Sequence, residues 1–274
     1  MSEQATQARP AASGLQGVPS ADAWPAPAAG ASAQDQHAER VRGIFSQIAR
    51  RYELFNALSS MGVYRYWLRV MAGAAQSARG AEVLDVAGGA GDVTFELCRR
   101  ARPARVELTD FTPEMLNVAL GRIAAGEARG VPVTTRVADA MDLPYADASF
   151  DVVTVAYGLR NFSDRRASMR EAFRVLRPGG TYVALEFSTP GNPAWRGVYG
   201  WYRDHVLPLI GGALTSDPSG FSYLASSIRE FPSQAVIAEE LAAAGFASVG
   251  YHDCTGGIAT VYHAVRPRAD GTTR

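Results

Sequence analysis

A glycine-rich turn that follows an apolar run constrains the fold of this chain more than any other stretch. Residues 83–92 have the sequence VLDVAGGAGD, with three glycines within four positions. Glycines in a turn after a strand let the backbone approach a ligand, and the helix that follows offers free N–H groups. The spacing departs from the dinucleotide fingerprint G-x-G-x-x-G, because Thr94 stands where its third glycine would be. The turn therefore predicts a ligand site at a strand–helix junction and weakens the dinucleotide interpretation.

Strands and helices alternate along most of the chain. Apolar runs predict strands at 83–84, 106–108, 133–137, 150–156 and 181–186. Helical spacing predicts helices at 66–71, 92–100, 113–125 and 168–176, and an earlier one whose apolar face holds Val41, Ile44, Phe45 and Ile48. Pro178-Gly179-Gly180 is expected to end the helix at 168–176. This alternation is typical of an α/β protein with a doubly wound, mostly parallel sheet.

The composition excludes several classes of protein. The chain has 274 residues with a formal net charge of zero, which argues against a nucleic-acid partner. All 27 basic residues are arginines, which we attribute to the base composition of the genome. No run of about 18 uninterrupted apolar residues predicts a membrane-spanning helix. Cys98 and Cys254 lack the spacing of a metal site, so we expect no metal and two buried thiols in a reducing compartment.

The two ends of the chain are expected to lack structure. Residues 1–38 are rich in Ala, Pro, Gly, Ser and Gln, which predicts a disordered tail. They also lack the apolar core of a secretory signal, so we expect a cytoplasmic protein. One domain is predicted over 39–268, and a second disordered tail over 269–274.

Carboxylates follow successive predicted strands, at the edge where doubly wound sheets bind ligands. The Asp110 carboxylate can accept hydrogen bonds from the two hydroxyls of a ribose. The Asp139 carboxylate can accept one from an adenine amine, with Ala140 packed against the ring. Asp85 and Asp92 flank the glycines. A cluster of carboxylates repels the negative charge of a pyrophosphate but attracts the positive charges of an ammonium and a sulfonium group. The predicted cofactor is therefore S-adenosylmethionine, leaving S-adenosylhomocysteine as product. The predicted binding residues are Asp85, Gly88, Gly89, Ala90, Gly91, Asp110, Asp139, Ala140 and Ala156.

Five stretches resemble a known family. They are RYELFNALSSMGVYRYW at 51–67, AYGLRNFSD at 156–164, RVLRPGGTYVALEFS at 174–188, HVLP at 205–208 and FPSQAVIAEELAAAGF at 231–246. With them, residues 39–265 resemble the class I methyltransferases that use S-adenosylmethionine, and more closely the ubiquinone/menaquinone C-methyltransferase family, UbiE or MenG. The chain departs from the family pattern at Tyr64, where His is usual, at Ala90, where Thr is usual, and at Asp139, where Asn is usual.

The resemblance implies a fold and a reaction. The fold would be a seven-stranded sheet with N-terminal helices and a helical lid insertion, the lid being formed by 39–72 and 190–230. The reaction would methylate the ring of a polyprenyl quinol, either demethylmenaquinol or 2-polyprenyl-6-methoxy-1,4-benzoquinol. The Tyr64 departure leaves open a methyltransferase on another aromatic or natural-product acceptor. A non-catalytic protein that binds S-adenosylmethionine or quinone is the remaining alternative.

Three residues are candidates for catalysis of such a reaction. An aromatic carbon becomes nucleophilic when a neighbouring hydroxyl loses its proton, so the site needs a base or a group that stabilises the phenolate. Arg160 could hold the developing oxyanion or polarise a water, and its alternative role is a salt bridge to a helix. Asn161 could orient the hydroxyl. His205 could take the proton, because imidazole side chains ordinarily titrate near neutrality; a packed histidine is the alternative.

The aromatic segment after the fifth predicted strand suggests where a lipid-soluble quinol would bind. It contains Trp195, Tyr199, Trp201 and Tyr202, followed by VLPLIGGAL at 206–214. An isoprenoid tail needs an apolar groove, and aromatic residues favour a membrane interface. We therefore expect peripheral contact at the inner face of the cell membrane. The alternatives are the core of the lid or the contact surface of a homodimer.

Overall fold

Seven strands form one mixed sheet. Their bounds are β1 Glu82–Val86, β2 Arg105–Asp110, β3 Val133–Val137, β4 Phe150–Ala156, β5 Leu176–Phe187, β6 Ala247–Cys254 and β7 Ala259–Val265. The order across the sheet is β3-β2-β1-β4-β5-β7-β6. The first five strands are paired in parallel, whereas β7 is antiparallel to both β5 and β6. This confirms the predicted doubly wound, mostly parallel sheet.

The computed structural model describes residues 39, 41–43, 46, 56–57, 60, 62–209, 219–268 and 270–273. Its helices are α1 Tyr64–Ala74, α2 Asp92–Arg100, α3 Pro113–Ala124, α4 Arg165–Val175, α5 Pro193–Trp201, α6 Ser219–Glu230 and α7 Gln234–Ala243. A π-helical turn, Tyr202–Val206, continues α5, and short 3-10 turns lie at Gln76–Ala78 and Thr255–Gly257. The tail predicted over 1–38, much of the helix expected around 41–48 and the end of the apolar run at 206–214 lie outside the described residues.

Local signals in the sequence set where several helices begin. Pro113 and Pro193 occupy the first turns of α3 and α5, where a missing N–H costs no hydrogen bond. The Asp164 side chain caps α4 by accepting a hydrogen bond from the Ala167 N–H at 2.9 Å. Asn192 caps α5 in the same way. These helices thus start soon after the carboxyl ends of β2, β4 and β5.

Strand β5 begins five residues before the predicted start at 181, because the Pro178–Gly180 turn lies inside it. Leu176 already pairs with β4, the register then shifts, and pairing resumes at Thr181. Gly179 has a left-handed φ of +84°, and its N–H donates to the Arg266 carbonyl of the segment after β7 at 2.7 Å. Glycine adopts this conformation without strain, so the turn forms a bulge. The predicted helix end at 176 and strand start at 181 are therefore wrong.

The sheet separates two apolar layers. On one face, α1 and α2 pack over the strands around Trp67. On the other face, α4 and α7 pack around Met169 and Leu241. Neighbouring Val152 and Val153 of β4 belong to opposite layers, as the two-residue period of a strand requires. Each buried aliphatic side chain stabilises the fold by about 1.5–3 kcal/mol, so the sheet is a firm frame for the loops at its edge.

Residues 270–273, within the tail predicted over 269–274, form a turn. The Asp270 carboxylate accepts hydrogen bonds from the N–H and the hydroxyl of Thr272. Ser248 of β6 donates to the Thr273 hydroxyl at 3.1 Å. These bonds tie the segment to the edge of the sheet, which composition alone did not indicate.

Cys98 and Cys254 are buried and carry free thiols, as the sequence predicts. Within the described ranges, no helix has both the length and the apolar character needed to cross a membrane. Among the same residues, no group of His, Cys, Asp and Glu side chains is placed to hold a metal ion.

Candidate active site

The glycine-rich turn after β1 has no room for side chains. Gly89 and Gly91 have left-handed φ angles of +56° and +88°. A Cβ on Gly88 would lie 2.8 Å from a carboxylate oxygen of Asp85, and a Cβ on Gly89 would lie 2.9 Å from the Met115 methyl group. The turn therefore presents backbone to its surroundings. Ala90, between the two left-handed glycines, is buried and offers no hydroxyl.

Asp85 lies beneath this turn, inside the sheet. Its side chain is fully buried and accepts hydrogen bonds from the hydroxyls of Thr94 at 2.6 Å and Thr154 at 2.8 Å. Burial raises the pKa of this carboxyl to about 6, although the two hydroxyls act in the opposite direction. From this position Asp85 joins β1, β4 and the first turn of α2. It shapes the turn from below, with no part of its side chain exposed.

Asp110 ends β2 and faces the glycine turn. One carboxylate oxygen accepts a hydrogen bond from the Gly89 N–H at 2.9 Å, and the other accepts from the Thr112 N–H at 2.8 Å. Burial raises the pKa of Asp110 to about 6, against the effect of these N–H groups. Each carboxylate oxygen has a further lone pair, so Asp110 can accept from a ligand's hydroxyls as well.

A pocket of about 750 Å³, measured with its open mouth, lies at the carboxyl ends of these strands. Four of the predicted cofactor residues line it, namely Asp110, Asp139, Ala140 and Ala156. The Asp139 side chain accepts a hydrogen bond from the Met141 N–H at 2.8 Å, which fixes the carboxylate at the rim. The sheet thus brings together residues that lie far apart in the sequence.

The loop after β4 forms the other side of the pocket. Tyr157 has a left-handed φ of +56°, a strained conformation for a tyrosine. Asn161, predicted to orient a substrate hydroxyl, lines the pocket together with Tyr157. Its Nδ2 donates to the Tyr157 carbonyl at 2.8 Å, and its Oδ1 accepts from the Tyr223 hydroxyl at 3.1 Å. The Asn161 amide is therefore held in one orientation.

Arg160 turns away from the pocket and forms a buried ion pair with Glu186 of β5. Its Nη1 lies 2.5 Å from Glu186 Oε1, and the two side chains are 6% and 0% exposed. The same Nη1 donates to the Tyr157 carbonyl at 2.9 Å. Burial raises the pKa of Glu186, and the charge of Arg160 opposes this. The structure thus shows the salt bridge that was the alternative role of Arg160, with a strand glutamate as its partner.

His205 lies outside the pocket. It is exposed in the π-helical turn, where its Nδ1 is 3.0 Å from the Trp201 carbonyl oxygen. Its ring stacks on the Trp201 ring with centroids 5.8 Å apart. The structure does not bring this predicted proton acceptor to Asn161.

Sequence reasoning missed Glu186, Thr154 and Tyr157. Glu186 and Thr154 are polar residues within apolar strands, a pattern that signals a buried and paired side chain. Tyr157 gave no signal, because left-handed conformations are expected mainly at glycine and asparagine.

The chemistry of the pocket fits S-adenosylmethionine. Asp110 offers acceptors for a ribose, and Asp139 beside buried Ala140 offers an acceptor next to an apolar wall for an adenine. The turn carries no side chain at Gly88 and Gly89, which leaves its backbone open to close approach. Carboxylates also favour a cationic ligand. The fold and this site together define a methyltransferase of the class I fold that depends on S-adenosylmethionine.

Comparisons with known proteins give the family. Residues 33–266 match the model of the ubiE/COQ5 methyltransferase family. The protein "Ubiquinone/menaquinone biosynthesis C-methyltransferase UbiE" of Geotalea daltonii is 42% identical over 226 residues, which cover 82% of this chain and 95% of that relative. The "Demethylmenaquinone methyltransferase" of Mycolicibacterium paratuberculosis is 41% identical over 233 residues, covering 85% and 96%. The chain therefore belongs to the ubiE/COQ5 methyltransferase family, and the predicted resemblance, enzyme class and cofactor are confirmed.

A solved structure supports the fold. A methyltransferase in complex with the Trm112 activator of Haloferax volcanii superposes with a TM-score of 0.58, covering 83% of this chain and 98% of that chain. Its sequence identity is 18%, so the likeness concerns the fold alone.

Proposed function

We propose that this enzyme methylates a ring carbon of a polyprenyl quinol, either demethylmenaquinol or 2-polyprenyl-6-methoxy-1,4-benzoquinol, in menaquinone or ubiquinone biosynthesis. The observation that carries the proposal is the family match over 33–266, with relatives above 40% identity whose names specify these pathways. The pocket supports it, because acidic residues for the cofactor and the fixed Asn161 amide for an acceptor line one space.

The residues of the acceptor side must make a ring carbon nucleophilic. When bound, S-adenosylmethionine supplies a methyl group on a positively charged sulfur. A phenolic hydroxyl has an ordinary pKa of about 10, so the protein must orient it and lower the free energy of its ionised form. The low dielectric of a closed pocket strengthens each such interaction.

Asn161 is the residue proposed to orient the hydroxyl. Its amide is fixed by the Tyr157 carbonyl on one side and the Tyr223 hydroxyl on the other. A substrate hydroxyl that reaches Asn161 would therefore meet an amide dipole whose direction is fixed.

Arg160 is proposed to act from behind the pocket as a positioning residue. Its Cζ lies 5.8 Å from the centroid of the Tyr157 ring, and its Nη1 holds the Tyr157 carbonyl. The strained turn at Tyr157 thus depends on the Arg160–Glu186 pair. This role replaces the direct oxyanion contact considered from the sequence.

An exposed apolar surface suits contact with a membrane. It is formed by Trp195, Val198 and Trp201 of α5 and by Leu209, whose exposed fractions run from 37% for Trp195 to 74% for Leu209. We call it the α5 apolar surface. We propose that it contacts the inner face of the cell membrane, where a polyprenyl substrate resides. A homodimer through the same surface is the competing proposal, and it predicts a molar mass that doubles with concentration.

The first experiment uses the purified full-length protein, methyl-tritiated S-adenosylmethionine and chemically reduced demethylmenaquinol, with the methoxy-benzoquinol in parallel. Label in one quinol extract supports the proposal and selects the pathway. Label only in a water-soluble phenol would replace the quinol by another aromatic acceptor. Cofactor binding by calorimetry without transfer to any acceptor would overturn the proposed activity.

The Asn161 assignment has its own test. Asn161→Ala is expected to lower kcat by about 10²–10³, as expected for loss of a positioned hydrogen-bond group in a reaction centre, with little change in cofactor affinity. Ser226→Ala, on the neighbouring helix α6, is the matched control and should leave kcat unchanged. An equal loss in both variants would contradict the assignment.

A further inference from the structure

A concave surface lined by arginines lies between α1, α2 and the end of α3. We call it the arginine cleft, and its arginines are Arg65 and Arg69 of α1, Arg99 and Arg100 of α2, and Arg122 of α3. It encloses about 880 Å³, measured with its open mouth. Among the described residues, it shares no lining side chain with the pocket formed by Asp110, Asp139 and Asn161. The cleft is therefore distinct from the pocket at the carboxyl ends of the strands.

Arginines outnumber carboxylates among the described residues of the arginine cleft. Glu96 lies on its floor and pairs with Arg99 and Arg100 of the same helix. Arg122 lies 2.6 Å from Asp92 and 2.8 Å from Glu127. Among the described residues that line the cleft, there are five guanidinium groups and three carboxylates.

The α1 wall of the arginine cleft is formed by Arg65 and Arg69, one helical turn apart and both exposed. Arg65 donates from Nε to the Tyr64 hydroxyl at 3.3 Å. Arg69 has no ion pair within the described ranges. Its charge is close enough to act on Arg99, whose pKa is lowered first by burial and then by neighbouring arginines including Arg69. Guanidinium forks arranged in this way bind phosphate oxygens in pairs.

The position of α1 links the arginine cleft to the α5 apolar surface. Trp67, on the flank of α1 away from the cleft, donates its indole N–H to the Thr255 hydroxyl at 2.8 Å. The Thr255 carbonyl in turn accepts from the Trp195 indole at 3.1 Å. Tyr66, which is 49% exposed, lies on the outer face of α1 between the two regions. Exposed aromatic residues beside a cationic groove match the chemistry of an anionic lipid surface.

We propose that the arginine cleft binds the phosphate headgroup of an anionic phospholipid and so fixes the orientation of the enzyme on the membrane. Such an orientation would bring the pocket to a lipid-soluble substrate, and that consequence rests on the proposed function. Headgroup binding itself does not rest on it. Free inorganic phosphate offers the same oxygen atoms, so the experiment includes it as a separate arm.

The experiment measures partition of the full-length protein onto vesicles of phosphatidylcholine with and without phosphatidylglycerol. The variant is Arg65→Gln/Arg69→Gln. The control is Arg170→Gln/Arg268→Gln, which removes two exposed arginines outside the cleft. The cleft variant is expected to lose about 30-fold in partition onto anionic vesicles, since each arginine near such a surface contributes roughly a factor of five. The control variant and partition onto neutral vesicles should change little, and high salt should remove the difference.

Two results would overturn the proposal. One is equal loss in the cleft and control variants, which would reduce the effect to net charge. The other is saturable binding of inorganic phosphate to wild type, lost in the cleft variant, together with release from anionic vesicles by that phosphate, which would make the ligand a soluble anion. Transfer of tritium to a short-tailed quinol without vesicles is measured in parallel. Failure there with intact vesicle binding would count against the proposed function and leave headgroup binding supported.

Discussion

Two carboxylates are fully buried in the sheet, Asp85 in β1 and Glu186 in β5. They differ in the kind of group that hydrogen-bonds to them. Asp85 accepts from the hydroxyls of Thr94 and Thr154. Glu186 is paired with Arg160. Burial raises the pKa of both carboxyls, but only Glu186 has a guanidinium that opposes it.

The difference shows what each side of the sheet edge requires. Hydroxyls can serve a carboxylate or a carboxylic acid, so the turn above Asp85 keeps its shape in either protonation state. The Glu186–Arg160 pair has no such freedom, because either partner alone would be an uncompensated buried charge. The proposed cofactor side thus rests on neutral hydrogen bonds, and the proposed acceptor side rests on a buried ion pair.

The largest effect is expected when the ion pair is broken. Glu186→Gln should lower the free energy of unfolding by about 3–5 kcal/mol, because it leaves Arg160 buried without a counter-charge. Urea denaturation measures the change. The double variant Glu186→Leu/Arg160→Leu should recover much of the stability while activity stays low. A loss below about 1 kcal/mol in the single variant would show that water reaches the pair.

The pH dependence of stability probes the other carboxylate. Wild type should lose about 2.4 kcal/mol of unfolding free energy relative to Asp85→Asn as the pH rises from about 4 to about 8. The folded-state pKa of Asp85, about 6, lies above its ordinary value of 3.8. Its contribution is therefore full below pH 3.8 and is lost as the pH rises through 6.

Denaturation of wild type and Asp85→Asn across this range measures the difference. Asp110 titrates in both proteins, so its own contribution largely cancels. Parallel stability curves for the two proteins would contradict the buried, hydroxyl-bound description of Asp85.

A smaller effect is expected from one hydroxyl. Thr154→Val should lower the free energy of unfolding by about 2 kcal/mol at pH above 7, where Asp85 is ionised, and by about 1 kcal/mol near pH 4. Thr154→Ser keeps the hydroxyl and is the matched control. If the loss of unfolding free energy in Thr154→Val did not depend on pH, it would come from packing in β4 and not from the hydrogen bond to Asp85.

The smallest effect extends the comparison to Asp110, the carboxylate that reaches the pocket. Asp110→Asn should raise the Kd for S-adenosylmethionine about tenfold, because an amide accepts ribose hydroxyls less strongly. In wild type the Kd should also rise as the pH falls below 6, where the pKa of about 6 leaves the carboxyl protonated. Calorimetry measures both, and Asp147→Asn, at an exposed surface site, is the control. A pH-independent Kd would remove Asp110 from direct contact.

Much of the fold was predictable because the strong signals are local. Strands β3 and β4 and helix α2 have the predicted bounds, since each is an apolar run or helical pattern that ends at a turn. The start of β5 was not predictable in this way. The bulge at Gly179 depends on a hydrogen bond from Gly179 to the Arg266 carbonyl, in a segment distant in sequence.

The candidate site also has parts that were predictable from the sequence and parts that were not. Convergence of Asp110, Asp139 and Asn161 follows from strand order alone, because parallel strands end at one edge. The direction of a side chain depends on distant neighbours. Arg160 turns inward because Glu186 of β5 offers a buried counter-charge. His205 is exposed in a turn whose buried residue is Arg203. No local pattern specifies such partners.

The position of β7 has a consequence for the order of folding. β6 precedes β7 in the chain, yet it joins the sheet only through β7, which lies against β5. β6 therefore cannot dock until the strand made after it is in place, and the hairpin should add to a preformed parallel sheet as one late cooperative unit. In native-state hydrogen exchange, the amides of β6 and β7 should open together, before those of β1 and β4.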